Sequence, residues 1–195
     1  MSKIVGIDLA GVESRDTGFC VLDDELNADV CILHTDNEIL DKIIEVKPVV
    51  VAIDAPLSLP KGRESLEVKT DIHFRECDRE LLKMKIKFFP ITLGPMRKLT
   101  ARGIRLKGIL DKRNFDAIEV YPGAAQDIWN IVRKQYGLSK LKKGLEKLGV
   151  NRLKDSMTGD ELDAVTAALV GKCYVDGNYL GIGAKTEGVI ILPKR

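Results

Sequence analysis

Two short apolar segments, each ending in an aspartate, constrain the fold of this chain more than any other feature. The segment KIVGID ends at Asp8, and the segment PVVVAID ends at Asp54. A continuous run of β-branched and other apolar residues is typical of a strand that is covered on both faces, as in a parallel sheet between two helical layers. A third segment, FDAIE, ends at Glu119. The sequence therefore predicts three buried strands, each with a carboxylate at its C-terminal end.

These three carboxylates are the first candidate functional groups. Neighbouring strands of one sheet lie about 4.8 Å apart, so the side chains at their C-terminal ends would meet at one edge. Carboxylates held together repel one another unless cations bind among them. We therefore expect Asp8, Asp54 and Glu119 to be metal ligands.

The order of the predicted elements indicates the fold class. Strands over residues 4–8, 18–22 and 28–34 form an antiparallel meander, and a helix with apolar residues at helical spacing then leads to a strand over residues 49–54. Further strands are expected over residues 115–119 and 189–192. At 195 residues, the chain is long enough for one sheet with helices on both faces. We predict one α/β domain over residues 1–195, in which three antiparallel strands are followed by parallel strands.

The charge is distributed unevenly along the chain. The net charge is only +2, but residues 61–113 hold fifteen Lys and Arg against seven Asp and Glu, which leaves −6 for the remainder. We interpret residues 57–113 as a basic, partly helical insertion in the domain. Such a segment is either a surface for a polyanion or an ordinary solvated surface rich in lysine.

Several residues of the insertion suit phosphate binding. Arginine offers two parallel hydrogen bonds from a planar group, and a threonine hydroxyl adds a neutral donor. Two arginines recur on a helix predicted over residues 72–87, and the others are expected in a basic loop that follows it. The candidates are Arg75, Arg79, Arg97, Thr100, Arg102 and Arg105.

A helix near the C-terminus carries two further acidic candidates. Thr158 and Glu161 have the spacing of a capping box, which explains Glu161 by helix initiation alone. Asp160 either opposes the helix dipole or binds a metal. Asp163 lies beyond the first turn, among small apolar residues, where an unpaired carboxylate is costly to bury. We therefore expect Asp163 to be functional, and it shares a helix face with Asp160.

The sequence also predicts a cellular setting. We find no signal peptide pattern and no apolar run long enough to cross a membrane. The four cysteines are scattered and form no CxxC pair, which favours a reducing compartment. We expect a cytoplasmic protein without membrane contact.

Six segments, in this order, resemble a known family. They are GIDLAG, AIDAPLSLP, RECDREL, LTARGI, IEVYPGA and DELDAVTAAL. Together they are similar to the family called domain of unknown function 429, whose members are described as predicted nucleases with a ribonuclease H-like fold. The resemblance extends over almost the whole chain and implies that fold here.

The resemblance also implies roles for the acidic residues. The wider superfamily places an aspartate at the end of the first strand, an acidic residue on a later strand, and an acidic pair on a C-terminal helix. These roles correspond to Asp8, to Asp54 or Glu119, and to Asp160 or Asp163. The implied catalytic set is Asp8, Asp54, Glu119 and Asp163, with Asp160 as a further metal ligand.

The implied activity is hydrolysis of phosphodiester bonds in nucleic acid with two Mg²⁺ or Mn²⁺ ions. A homodimer is a possible assembly. Two alternatives stay open at this stage. GIDLAG also resembles the first phosphate loop of actin-like ATPases and sugar kinases, which would make the protein an ATP-binding phosphotransferase. The other alternative is a non-enzymatic module that binds nucleic acid.

Overall fold

A single mixed sheet forms the centre of the protein in the computed structural model, which describes residues 2–194. The strands are β1 (Lys3–Asp8), β2 (Thr17–Asp23), β3 (Ala28–Leu33), β4 (Val50–Asp54), β5 (Ala117–Val120), β6 (Tyr179–Ala184) and β7 (Gly188–Pro193). Their order across the sheet is β3-β2-β1-β4-β5-β7-β6. Strands β1, β2 and β3 pair antiparallel, and β4, β5 and β7 continue parallel to β1. The predicted fold class is confirmed.

Helices cover both faces of the sheet. They are α1 (Asp36–Val46), α2 (Glu76–Lys83), α3 (Gly94–Lys112), α4 (Pro122–Ile128), α5 (Leu138–Lys147) and α6 (Gly159–Val175), with a 3-10 turn at Lys134–Tyr136. On one face, α1 and α3 pack through residues such as Ile43 and Leu106. On the other face, α5 and α6 pack through residues such as Leu141 and Val165. Successive residues of β4 alternate between these two cores, which explains why the whole strand is apolar.

Helix α6 lies unusually close to the sheet. A Cβ atom at Gly6 would lie 2.2 Å from the carbonyl oxygen of Ala164, and one at Gly18 would lie 2.1 Å from that of Asp160. The helix backbone therefore rests directly on β1 and β2, because glycine places no side chain between them. The capping box predicted for Thr158 and Glu161 is present and fixes the start of this helix.

The structure corrects several predicted elements. The stretch containing Thr100 and Gly103 was predicted as a loop, but it belongs to the 19-residue helix α3, which packs against the sheet through Leu106 and Leu110. The helix expected over residues 72–87 is limited to α2. Strand β6 was not predicted, because Gly181 and Gly183 weaken the strand pattern.

Candidate functional site

The sheet brings Asp8 and Asp54 together at its carboxyl edge. The two residues are partners in the parallel register of β1 and β4. Their neighbours Ile7 and Ile53 face the core under α1 and α3. Since side chains alternate along a strand, Asp8 and Asp54 face the opposite side, toward α6.

Helix α6 adds two carboxylates to this pair. The side chain of Asp163 is only 9% exposed, whereas that of Asp160 is 42% exposed at the helix start. Gln126 of α4 donates a hydrogen bond from Nε2 to Asp163 Oδ1 at 2.7 Å. We call Asp8, Asp54, Asp160 and Asp163, together with Lys134, the carboxylate cluster.

Lys134 lies among these carboxylates, and its role was not predicted from the sequence. Its Nζ atom is 3.1 Å from Asp8 Oδ2, 2.9 Å from Asp160 Oδ1 and 3.0 Å from Asp163 Oδ2. Burial disfavours the charged ammonium, but Asp8 and Asp163 outweigh that effect and raise the pKa of Lys134. The lysine is therefore a fixed cation in the cluster.

One ammonium does not balance four carboxylates. Burial, partly opposed by Lys134 and reinforced by Asp163, raises the pKa of Asp8 to about 7. Burial and the nearby charges of Asp8 and Asp163 raise the pKa of Asp54 well above its ordinary value. The cluster consequently lacks positive charge at neutral pH.

Glu119, the third predicted strand carboxylate, belongs to a different group. It aligns with Ile53 in the register of β4 and β5, one position before Asp54, so it faces the opposite side of the sheet. Both oxygens of Glu119 accept hydrogen bonds from Arg75, at 2.7 and 2.8 Å. The backbone N–H of Leu57 donates a further hydrogen bond to Glu119 at 2.9 Å. Glu119 therefore lies with Arg75 and faces away from Asp8 and Asp54, and its role as a metal ligand stays a prediction.

Arg75 is likewise not available to a phosphate. Its side chain is 2% exposed. Besides Glu119, it donates to Asp78 from Nε and Nη2 and to Ser58 from Nη1. All five guanidinium N–H donors are thereby used. We call Arg75, Asp78 and Glu119 the arginine cluster.

Three other predicted phosphate ligands are also engaged within the protein. Arg102 is buried and donates to Asp36 and to the carbonyls of Ala10 and His34. Arg105 is 59% exposed, but it also pairs with Asp36. The Thr100 hydroxyl is buried and donates to the Met96 carbonyl. Arg102 and Thr100 are therefore structural, and Arg105 is bound to a carboxylate.

Arg97 and Arg79 are exposed and, unlike Arg105, form no ion pair within the part of the chain that the structure describes. Arg97 lines a groove of about 960 Å³ beside the carboxylate cluster. Asp8, Asp16 and Asp160 also line this groove, and the exposed Arg15 and Lys98 add positive charge to it. Arg79 lies on α2, outside this groove. The groove thus combines positive charge with two carboxylates of the cluster.

A smaller pocket of about 190 Å³ is lined in part by Asp54 and by the arginine cluster. Phe88, Phe89 and Tyr121 line it as well, together with Met96 of α3. Met96 also lines the groove that contains Arg97. The first turns of α3 therefore lie between this groove and a pocket with an aromatic wall.

The carboxylate oxygens suit a hard divalent cation such as Mg²⁺ or Mn²⁺. The raised pKa values of Asp8 and Asp54 agree with a shortage of positive charge at this place. Within residues 2–194, no three His, Cys, Asp or Glu side chains are already arranged around an ion position. Lys134 lies where three of the carboxylates converge. The donor chemistry fits a cation, and the lysine is part of that arrangement.

Comparisons with known proteins place this fold. Solved structures similar to the chain include Thermus thermophilus RuvC, and T. thermophilus RuvC in complex with a Holliday junction substrate. The complex gives a TM-score of 0.52 at 12% identity, covering 91% of this chain and 96% of that one. The other gives 0.50 at 11% identity, covering 96% and 99%. These likenesses show a shared fold, which is ribonuclease H-like.

A search of curated proteins finds no match. The described part of the chain contains no helix that is both long and apolar enough to cross a membrane. The family model described as protein of unknown function (DUF429) matches residues 6–187, so the chain belongs to that family.

Proposed function

We propose that the protein is a metal-dependent nuclease that hydrolyses phosphodiester bonds in nucleic acid. The observation that carries this proposal is the convergence of four carboxylates from β1, β4 and α6 beside a groove that Arg15, Arg97 and Lys98 line. Asp8, Asp54, Asp160 and Asp163 would hold the metal. Bound there, a divalent cation supplies charge neutralisation and lowers the pKa of water.

The residues of the chain perform the rest of the proposed reaction. In hydrolysis, a water oxygen forms a bond to phosphorus, the P–O ester bond breaks, and the leaving oxygen takes up a proton. Arg97 and Lys98 would bind phosphates that flank the reacting one, since they line the groove that includes Asp8. The carboxylate cluster would orient the reacting phosphate against the attacking water.

The fold shared with RuvC directs the choice of substrate. One of the similar structures is described as a complex with a Holliday junction substrate. A branched DNA junction is therefore the first substrate to test, beside single-stranded, duplex and hybrid nucleic acids. The predicted homodimer and the predicted cytoplasmic location remain predictions.

The test uses labelled substrates of these four kinds with Mg²⁺ or Mn²⁺. We expect cleavage of at least one substrate, and we expect Asp8→Asn to lower the rate at least about 100-fold, as when one group that stabilises transition-state charge is lost. Asp155→Asn is the matched control, because Asp155 is exposed, lies outside the carboxylate cluster and pairs with Lys142. Binding without cleavage would favour a non-enzymatic module, and metal-dependent ATP hydrolysis would favour a phosphotransferase.

A further inference from the structure

Lys134 occupies a position among the carboxylates that a cation would otherwise take. Its three contacts, at 2.9 to 3.1 Å, reach one oxygen each of Asp8, Asp160 and Asp163. The contacts to Asp8 and Asp160 are hydrogen bonds, and the contact to Asp163 is an ion pair. These oxygens belong to β1 and α6, and an ion bound between that strand and that helix would need the same ones.

Contacts of its backbone and of its side-chain stem hold Lys134 in place. Lys134 begins the 3-10 turn that precedes α5. A Cβ atom at Gly159 would lie 2.9 Å from Lys134 Cδ, so the lysine stem passes directly over the glycine at the start of α6. The preceding residue, Arg133, is anchored to Asp127 and to the Tyr121 hydroxyl. The anchoring of Arg133 and the contact of the Lys134 stem with Gly159 both position the ammonium of Lys134.

The oxygens that remain are sufficient for one further cation. Lys134 uses one oxygen of Asp163, and Gln126 donates to the other. The second oxygen of Asp8 and the carboxylate of Asp54 form no side-chain hydrogen bond among the residues that the structure describes. Asp54 is the register partner of Asp8, so these two groups lie side by side. A divalent ion bound between them would not have to displace the lysine.

The spacing of the oxygens around Lys134 supports the same conclusion. Mg²⁺ requires oxygen ligands at about 2.0 to 2.1 Å. The three oxygens lie nearly 1 Å farther from Nζ, at the distances of hydrogen bonds to an ammonium. The lysine therefore fills this part of the cluster in the arrangement that the structure describes.

We propose that Lys134 provides one of the two cations of the site, so that the protein binds a single divalent ion, between Asp8 and Asp54. This inference rests on the proposed function and replaces one of the two ions expected from the family resemblance. The ammonium neutralises carboxylate charge on the α6 side, and the divalent ion does so on the β4 side.

The test is the number of Mn²⁺ ions bound per chain, measured by titration calorimetry without nucleic acid. We expect one ion for the parent protein and two for Lys134→Met, because the methionine frees three carboxylate oxygens. Lys142→Met is the matched control, since Lys142 also pairs with two carboxylates but lies outside the cluster, and we expect one ion. If Lys134→Met does not fold, the number of bound Mn²⁺ ions is measured for Lys134→Gln instead.

The outcomes separate this inference from the nuclease proposal. Two ions bound by the parent protein, together with cleavage, would overturn the role of Lys134 and leave the nuclease proposal intact. A single ion in both the parent and the folded Lys134 variant would also overturn it. No ion bound by the parent would contradict both proposals.

Discussion

The carboxylate cluster and the arginine cluster lie at the same edge of the sheet but on opposite faces. In the arginine cluster, one guanidinium serves two carboxylates, and every N–H of Arg75 has a partner. In the carboxylate cluster, one ammonium serves four carboxylates, and the pKa values of Asp8 and Asp54 are raised. Removing one partner from a buried ion pair whose hydrogen bonds are complete is strongly destabilising, whereas buried carboxylates that lack positive charge are suited to binding a cation.

The largest expected effect on stability comes from removing the cation of the arginine cluster. Arg75→Met leaves Glu119 and Asp78 buried without their cation, which should lower the free energy of unfolding by about 3 to 5 kcal/mol. Arg79→Met is the control, because Arg79 lies on the same helix but is exposed. Denaturant unfolding of both variants measures the difference. Equal stability of the two variants would mean that the arginine cluster contributes nothing to the fold.

A smaller effect of opposite sign is expected in the carboxylate cluster. Between the ordinary carboxyl pKa and the raised values, the folded protein holds protons that the unfolded chain has lost, so these groups lower stability as pH rises. Asp54→Asn removes one such group. Relative to the parent, the metal-free variant should gain stability as the pH rises above the ordinary carboxyl pKa, because the parent must then ionise Asp54 in a buried place beside Asp8 and Asp163.

Denaturant unfolding at several pH values, with a chelator present, measures this gain. If the free energies of unfolding of Asp54→Asn and the parent differ by the same amount at every pH, Asp54 does not experience the charge of its neighbours. A variant less stable at every pH would assign Asp54 a structural partner, as in the arginine cluster.

The smallest expected effect concerns the groove that adjoins the carboxylate cluster. If Arg97 contacts a phosphate, Arg97→Ala should reduce the slope of log binding constant against log salt by about one unit. Lys107→Ala is the control, because Lys107 lies on the same helix and pairs with Asp111. Binding measured at several salt concentrations gives the slopes. Identical slopes for Arg97→Ala and the parent would remove the groove from the proposed nucleic-acid path.

Much of the carboxylate cluster could be predicted from local sequence. Apolar strands that end in Asp8 and Asp54 indicate both the elements and the edge where they meet, and a carboxylate among small apolar residues marks Asp163. Glu119 shows the limit of this argument. Its strand was predicted correctly, but a shift of one residue in register turns its side chain to the other face.

The partners of the charged groups could not be predicted, because they come from distant parts of the chain. Arg75 and Glu119 are 44 positions apart, and Lys134 is 126 positions from Asp8. Helix α4 ends at Ile128, so Lys134 lies in a turn whose path depends on tertiary contacts. No local pattern distinguishes Lys134 from the solvated lysines of α5.

The contact of α6 with Gly6 and Gly18 has a mechanical consequence. Most helices rest on a sheet through a layer of side chains, and that layer can repack when temperature or sequence changes. Here, main chain meets main chain beneath Ala164 and Asp160. The distance between the strand that carries Asp8 and the helix that carries Asp163 is therefore fixed by covalent geometry and van der Waals radii.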